Sequence, residues 1–199
     1  MKRVLDIVVA LGALVVLSPL ILGIALLIRW RMGPPVFFRQ TRPGLHGLPF
    51  EMIKFRTMRD AVDKQGRALP DSERLTSLGG WLRSTSLDEL PEFWNVLKGE
   101  MSLVGPRPLL MEYLDYYTDE ERIRHSVKPG ITGLAQVSGR NLTTWEQRLK
   151  YDVEYVNNRS FLLDFRIIIQ TVQQVISKKG VIVIPSASYC KLSEERAKK

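Results

Sequence analysis

Cysteine is nearly missing from this chain of 199 residues: Cys190 stands alone. No disulfide can close within one copy, which fits a reducing compartment. Histidine is scarce too. His46 and His125 lie far apart in sequence, and with a single thiol they make no His/Cys metal cluster. Any metal must then be a hard ion held by carboxylates and substrate phosphates. The chain has neither a GxGxxG nor a GxxxxGK(S/T) signature, which argues against dinucleotide and Walker-type sites. No internal repeat and no second globular domain are visible. Acids are the minority charge: 21 Asp and Glu against 29 Lys and Arg, a formal +8. That surplus points to an anionic partner: nucleic acid, membrane surface or phosphorylated substrate. Nucleic acid fits poorly, because the arginines stand among Pro and Gly loops rather than on a basic face with interleaved aromatics.

What is present begins with an apolar run. Ile7 to Ile28 are 22 consecutive residues without a charge. The run ends in "LLIRWRMGPP", with no small-residue cleavage site, so it does not read as a signal peptide. A straight helix of that length reaches about 33 Å, just enough for a hydrocarbon core of roughly 30 Å. Ser18-Pro19 argues against straightness. Proline deprives the Val15 carbonyl of its donor, and Ser18 is expected to bond back to the Leu14 carbonyl. Lys2 and Arg3 precede the run, and Arg29 and Arg31 follow it. Positive residues prefer the cytoplasmic side, so a single crossing would misplace one cluster. A helix broken at Ser18-Pro19 that dips into one leaflet and returns satisfies both. A kinked spanning helix is the other reading, since membrane helices carry proline without turning back. Residues 29–59 hold seven Lys or Arg against Glu51 alone. Such a run usually marks a solvated face, but here it directly follows the apolar segment.

The remainder reads as α+β, mostly helical with a small β-hairpin. Residues 1–32 are expected to form the membrane segment, 33–185 one compact cytosolic domain and 186–199 a mobile tail. Short apolar runs around Pro43-Gly44 and His46-Gly47 predict the hairpin. A helix is expected near Ser72 to Arg83, another over "LDELPEFWNVLKG" with Gly99 as its stop, and another over "LLMEYLDYYTDEERIRH". "EMSLVGPRP" and the glycine-rich "SVKPGITGLAQVSGRN" read as loops, and a loop that long inside a compact domain is usually functional or disordered. Thr143 with Glu146, or Thr144 with Gln147, opens a capped helix. In "FLLDFRIIIQTVQQVISKKG", Ile168, Ile169, Val172, Val175 and Ile176 share one face. Core is the commoner fate of such a face; a membrane interface is the alternative.

"LRSTSLDELPEF" holds an acidic pair, Asp88-Glu89. By spacing alone it reads as a helix start: Ser86 with Glu89 has the form of a capping box, and acids suit first turns. The company turns the reading toward chemistry. Arg83 lies upstream, Arg107 sits between prolines in "VGPRP", Arg140 stands in "SGRN", and "IKFRTM" offers Lys54 and Arg56. A diphosphate needs cations as charge develops on it, and arginine forks match phosphate oxygens. An ionised carboxylate can attack phosphorus.

Together, Ser18-Pro19, "KFRTM", "RSTSLDELPEFWNVLKGEMSLVGPRP" and "KPGITGLAQVSGRN" resemble the monotopic phosphoglycosyl transferases, the bacterial sugar transferase family, and within it the small stand-alone PglC-like enzymes. The resemblance runs from Lys2 to Val181. It implies transfer of a sugar-1-phosphate from a UDP-sugar to a polyprenol phosphate, typically undecaprenyl phosphate, with release of UMP. This would be the first membrane step of glycoconjugate assembly, at the cytoplasmic face of the bacterial inner membrane. It makes Asp88 the nucleophile of a covalent aspartyl phosphosugar intermediate and a contact to Mg²⁺. Glu89 completes the dyad, in magnesium binding or proton handling. Lys54, Arg83, Arg107 and Arg140 match basic substrate-binding positions, and Ser18-Pro19 the kink of a re-entrant membrane helix. No nucleic-acid partner is implied, and N-acetylated donors are favoured over plain hexoses. The readings set aside are a membrane-tethered, non-catalytic scaffold and a nucleic-acid-binding protein.

Overall fold

In the computed structural model of the protein, residues 1–139, 144–177 and 192–196 are described. The apolar run forms two helices, α1 (Lys2–Val16) and α2 (Ser18–Met32), bent by 61° at the break between them. Pro19 explains the break: it has no N–H for the Val15 carbonyl, and Ser18 Oγ donates to that oxygen instead, at 2.8 Å. The Leu14 carbonyl expected from the sequence is therefore not Ser18's partner; the orphan that proline creates is Val15. No single helix among the described residues is long and apolar enough to cross a membrane, although the bent pair passes that test together. One side of the pair packs inward. Ala10 joins Met52, Val96 and Met101, while Ile24 and Ile28 join Phe55 and Leu82. The other side leaves Val4, Val8, Leu11, Val15, Leu22 and Leu26 exposed.

Three charged side chains fasten α1 to the body. Asp6 is buried, and its carboxylate accepts from Ser102 Oγ at 2.9 Å and from the Leu103 N–H at 3.1 Å. Lys2 Nζ donates to the Val104 carbonyl at 3.1 Å and to Asp164 at 2.5 Å. Arg3 donates to the carbonyls of Val96 and Leu97.

The predicted hairpin forms from β1 (Phe37–Pro43) and β2 (Pro49–Phe55), paired antiparallel from Phe37 opposite Phe55 to Pro43 opposite Pro49. The helix expected near Ser72 to Arg83 is two helices, α3 (Asp71–Arg74) and α4 (Ser77–Ser84). Leu75 leaves the helical path to bridge Met58, and Thr76 starts again as the cap of α4, accepting from the Gly79 N–H at 2.9 Å. Next comes α5 (Glu92–Lys98), ended by Gly99 at φ 87° as its sequence predicts.

A second sheet corrects the expectation of loops. β3 (Ser102–Val104) runs parallel to β4 (Gly130–Thr132). The backbones meet closely where this sheet ends: a Cβ on Gly130 would lie 2.1 Å from the Gly105 nitrogen. Only glycine fits there. The long helix expected over "LLMEYLDYYTDEERIRH" is instead a 3₁₀ turn (Met111–Tyr116), α6 (Asp119–Arg122) and a second 3₁₀ turn (Ile123–Ser126). Thr118 interrupts it by forming a capping box with Glu121. After α7 (Leu134–Ser138), α8 (Trp145–Asn158) opens on the Thr144–Gln147 capping box; Thr143 lies outside the described residues. α9 (Phe161–Ser177) follows. Where a mobile tail is expected from the sequence, α10 (Leu192–Arg196) buries Leu192 among Tyr113, Tyr117 and Leu149.

α9 buries only a narrow apolar edge, with Ile167 in the core and Leu163 and Ile168 packed beside it. Its inward side is partly polar: Thr171 Oγ1 meets Thr132 Oγ1 at 2.7 Å, and Gln174 Nε2 donates to the Val137 carbonyl at 2.7 Å. Phe161, Leu162, Phe165, Ile169, Val172, Val175 and Ile176 are exposed. Of the apolar face read from the sequence, Ile168 alone packs on the core, so the expectation that this face is core is overturned.

Candidate active site

The acidic pair sits in a 3₁₀ turn, Leu87–Glu89, between α4 and α5. The helix start expected at Ser86 to Asp88 is corrected by Ser86 itself. Its φ is 57°, in the left-handed region, and its side chain caps nothing. Ser86 stops α4 in the position where glycine is usual, so the capping box with Glu89 does not form. A non-glycine residue held there costs of order 1 kcal/mol, a strain found preferentially near functional sites. Pro91 becomes the residue that opens α5.

Glu89 is the hub. Its Oε1 accepts from Lys54 Nζ at 2.6 Å and from Arg107 Nη2 at 2.5 Å. Lys54, on β2, also lies 3.0 Å from Oε1 of Glu92, near enough for an ion pair but out of line for a hydrogen bond. Asp88 is buried, and it makes no hydrogen bond with any described residue. Its charged surroundings are Glu89, Lys54, Arg83 and Arg107. Arg83, on α4, is held by its Nε donating to Thr57 Oγ1 at 3.0 Å.

The electrostatics separate the three carboxyls. Burial raises the pKa of Asp88, Glu89 adds to it, and Lys54, Arg83 and Arg107 oppose both without cancelling them. Burial would raise Glu89 as well, but Arg107 and Lys54 overcome it and hold that carboxylate well below its usual range. Glu92 is raised to about 7, by burial first and by Glu89, with Lys54 pulling the other way. Arg107 is raised by Glu89, and Lys54 is raised because Glu89 and Glu92 outweigh its burial. Glu89 thus keeps two cations oriented, and Asp88 carries the carboxylate without a hydrogen-bonded partner among the described residues.

The structure therefore brings together Lys54, Arg83, Asp88, Glu89 and Arg107. Arg140 lies outside the described residues. Arg56 points elsewhere: it is buried and donates to the carbonyls of Met58 and Pro34. Ser18 and Pro19 shape the bend of the helix pair. Sequence reasoning missed Glu92, although its position three after Glu89 was a usable signal, and Arg42, whose pKa burial and Arg107 lower to about 10. No three His, Cys, Asp or Glu side chains among the described residues cluster to hold a metal by themselves.

This arrangement, a carboxylate pair among the half-buried cations Lys54, Arg83 and Arg107, suits anionic groups. A family model described as bacterial sugar transferase matches residues 1–178. The chain is 51% identical over 181 residues to an uncharacterized sugar transferase, EpsL, of Bacillus subtilis, covering 91% of this chain and 90% of that one. It is 44% identical over 181 residues to a UDP-glucose:undecaprenyl-phosphate glucose-1-phosphate transferase of Klebsiella pneumoniae, covering 86% of this chain and 39% of the longer relative. It is 37% identical over 196 residues to the exopolysaccharide production protein ExoY of Sinorhizobium fredii, covering 90% and 87%. The chain belongs to the bacterial sugar transferase family, and it is an enzyme of the phosphoglycosyl transferase class.

Proposed function

We propose that the protein moves a sugar-1-phosphate from a UDP-sugar to undecaprenyl phosphate, releasing UMP, through a covalent intermediate on Asp88. The observation that supports this most is the division of labour in the acidic pair: Glu89 is bound by Lys54 and Arg107, while the Asp88 side chain has no hydrogen bond among the described residues. In the first step an Asp88 carboxylate oxygen attacks the sugar-bearing phosphorus. The bond to the bridging oxygen breaks, and UMP leaves with its electron pair. In the second step an oxygen of the lipid phosphate attacks the same phosphorus and Asp88 leaves as carboxylate. Arg107, Lys54 and Arg83 neutralise phosphate charge as it develops. The raised pKa of Asp88 favours this role, since a desolvated carboxylate is a better nucleophile once ionised. Glu92, near 7, holds or releases a proton at the edge of the same cluster.

Magnesium fits these residues. The oxygens of Asp88 and Oε2 of Glu89 carry no hydrogen bond among the described residues, and hard carboxylate oxygens suit that ion, with substrate phosphates and water completing its shell. When bound, it supplies charge neutralisation for the diphosphate.

The experiment omits the acceptor. Enzyme given a UDP-sugar and Mg²⁺ without lipid should release UMP up to one equivalent and gain the mass of a sugar phosphate on Asp88. UDP-glucose, named in several relatives, heads the donor panel, with N-acetylated donors beside it. UMP release that requires the lipid, with no adduct by intact-protein mass spectrometry, would mean a direct ternary transfer and no covalent role for Asp88.

For the membrane arrangement, the proposal is a re-entrant α1–α2 pair in the cytoplasmic leaflet, with the exposed apolar face of α9 lying in the interface. It rests on the bend, the basic residues at both ends and the exposed stripe of Phe161 to Ile176. Cysteines inserted after Met1 and substituted for Arg31, with Cys190 replaced by Ser, should both resist an impermeant thiol reagent applied to intact cells. Labelling of either from outside removes the re-entrant reading.

A further inference from the structure

Behind Arg107 lies a second charged cluster that does not face the acidic pair. Arg124, in the 3₁₀ turn Ile123–Ser126, is 2% exposed, and Asp152 on α8 is 3% exposed. Arg124 donates to Asp152 Oδ2 from Nε at 3.0 Å and from Nη2 at 2.8 Å. Nη1 donates to the Tyr117 hydroxyl at 3.3 Å. The remaining reach of the fork is spent on backbone: Nη2 also donates to the carbonyl of Arg107, at 2.7 Å.

That contact falls on a segment with little freedom of its own. Pro106 and Pro108 fix their own φ angles, and Pro108 also restricts Arg107. The Gly130 N–H donates to the Pro106 carbonyl at 3.0 Å, and the Gly105 N–H to the Thr132 carbonyl at 2.9 Å. The Arg107 carbonyl is the next link, and a buried guanidinium holds it. At its other end Arg107 grips Glu89. Replacing a buried ion pair by apolar residues is often neutral or stabilising, so the pair is weak as a stability device. Its geometry is specific in another respect: a planar fork fixed by one carboxylate presents a donor to one carbonyl.

We propose that Arg124 and Asp152 are positioning residues for Arg107, holding its backbone so that its guanidinium meets the transferring phosphate in register. This rests on the placement of Arg107 in the substrate site given above. The pair acts through Arg107 and touches no substrate. Its loss therefore lowers turnover and leaves donor affinity nearly unchanged, because misplaced charge is felt most where charge develops.

A double-mutant cycle on the full-length enzyme tests it, using UMP release with undecaprenyl phosphate and the UDP-sugar that supports fastest release. Arg107→Lys keeps the charge and loses the fork; turnover should fall at least about tenfold. Arg124→Lys, which cannot hold Asp152 and the carbonyl with one fork, should lower kcat about tenfold and move the KM for donor less than twofold. In the Arg107→Lys background Arg124→Lys should cost less than twofold in kcat, while its effect on melting temperature is the same in both backgrounds. Asp152→Asn, nearly isosteric, is carried through the same cycle and should behave alike, so a misfolded Arg124→Lys does not end the test. Losses that multiply in the double variants, or single variants of Arg124 and Asp152 with unaltered kcat, overturn the positioning role. An Arg107→Lys enzyme with wild-type kinetics overturns instead the placement of Arg107 in the site, and the positioning role with it.

Discussion

Asp88→Asn is expected to fold and to lose at least about a thousandfold in turnover, or about 4 kcal/mol of barrier lowering. The argument rests on what Asp88 lacks. It caps no helix, since α5 opens at Pro91 and Ser86 ends α4. It accepts no hydrogen bond from a described residue, so asparagine leaves no donor orphaned. Its burial and its neighbour Glu89 both penalise the ionised form, so removing the charge relieves a cost in the folded state. The variant should therefore melt no lower than the wild type. Expression, melting temperature and UMP release measured together decide the point. Turnover within a few fold of wild type would remove the nucleophile from Asp88, and a variant that fails to fold would show a structural role that the geometry does not predict.

Lys54→Met has the next largest expected effect, and on stability rather than chemistry alone. Lys54 is the cation common to Glu89 and Glu92. Breaking a buried pair by removing one partner costs about 3–5 kcal/mol, because the remaining charge has nowhere to go. Arg107 still compensates Glu89, but Glu92 lies 2% exposed with no other side-chain ion pair among the described residues. The effect depends on pH, and its sign follows from the two carboxyls. Glu89, depressed in the fold, contributes stability above its unfolded pKa near 4.3 and loses it as pH falls toward its folded value. Glu92, raised to about 7, does the reverse: the folded state binds its proton more tightly, so stability is fullest below about 4.3 and declines as pH rises through 7. Without Lys54, Glu92 rises further. The deficit of Lys54→Met should thus be greatest near pH 8 and shrink toward pH 5.5, where Glu92 is protonated and needs no cation. Adding Glu92→Gln should recover much of the loss at pH 8. Denaturant midpoints at the two pH values check this, and a deficit that is flat across them is the contrary result.

The parts of the fold that could be read from sequence were those whose cause is local. Pro19 breaks a helix wherever it stands, Pro43-Gly44 and His46-Gly47 turn a hairpin, and Thr144 meets Gln147 within one helical turn. The β3–β4 sheet was hidden because each strand has three residues and its partner is distant in sequence. Ser86 was misread for a related reason: the capping box is a pattern of four residues, and the end of α4 claimed the first of them. In the site, Lys54, Arg83 and Arg107 were legible as cations in the company of the Asp88-Glu89 pair, Arg107 on a stiff proline-flanked mount, and they converge. Arg56 has the same chemistry in sequence, but its fork is consumed by the carbonyls of Met58 and Pro34. Arg124 carried no signal, because its function is toward a carbonyl, which no sequence displays.

One further consequence follows from how α1 is fastened. Asp6 grips Ser102 and Leu103, and Lys2 grips Val104, directly upstream of the Gly-Pro-Arg-Pro segment that carries Arg107. The helix pair and Arg107 are therefore tied to one frame through three consecutive residues. On the proposed seating of α1–α2 in a bilayer, such a frame would work as a depth gauge: the plane at which α1 rests would also set the height of Arg107, and a lipid phosphate confined to that plane would reach it by sliding sideways. Search for the proposed acceptor would then run in two dimensions rather than three.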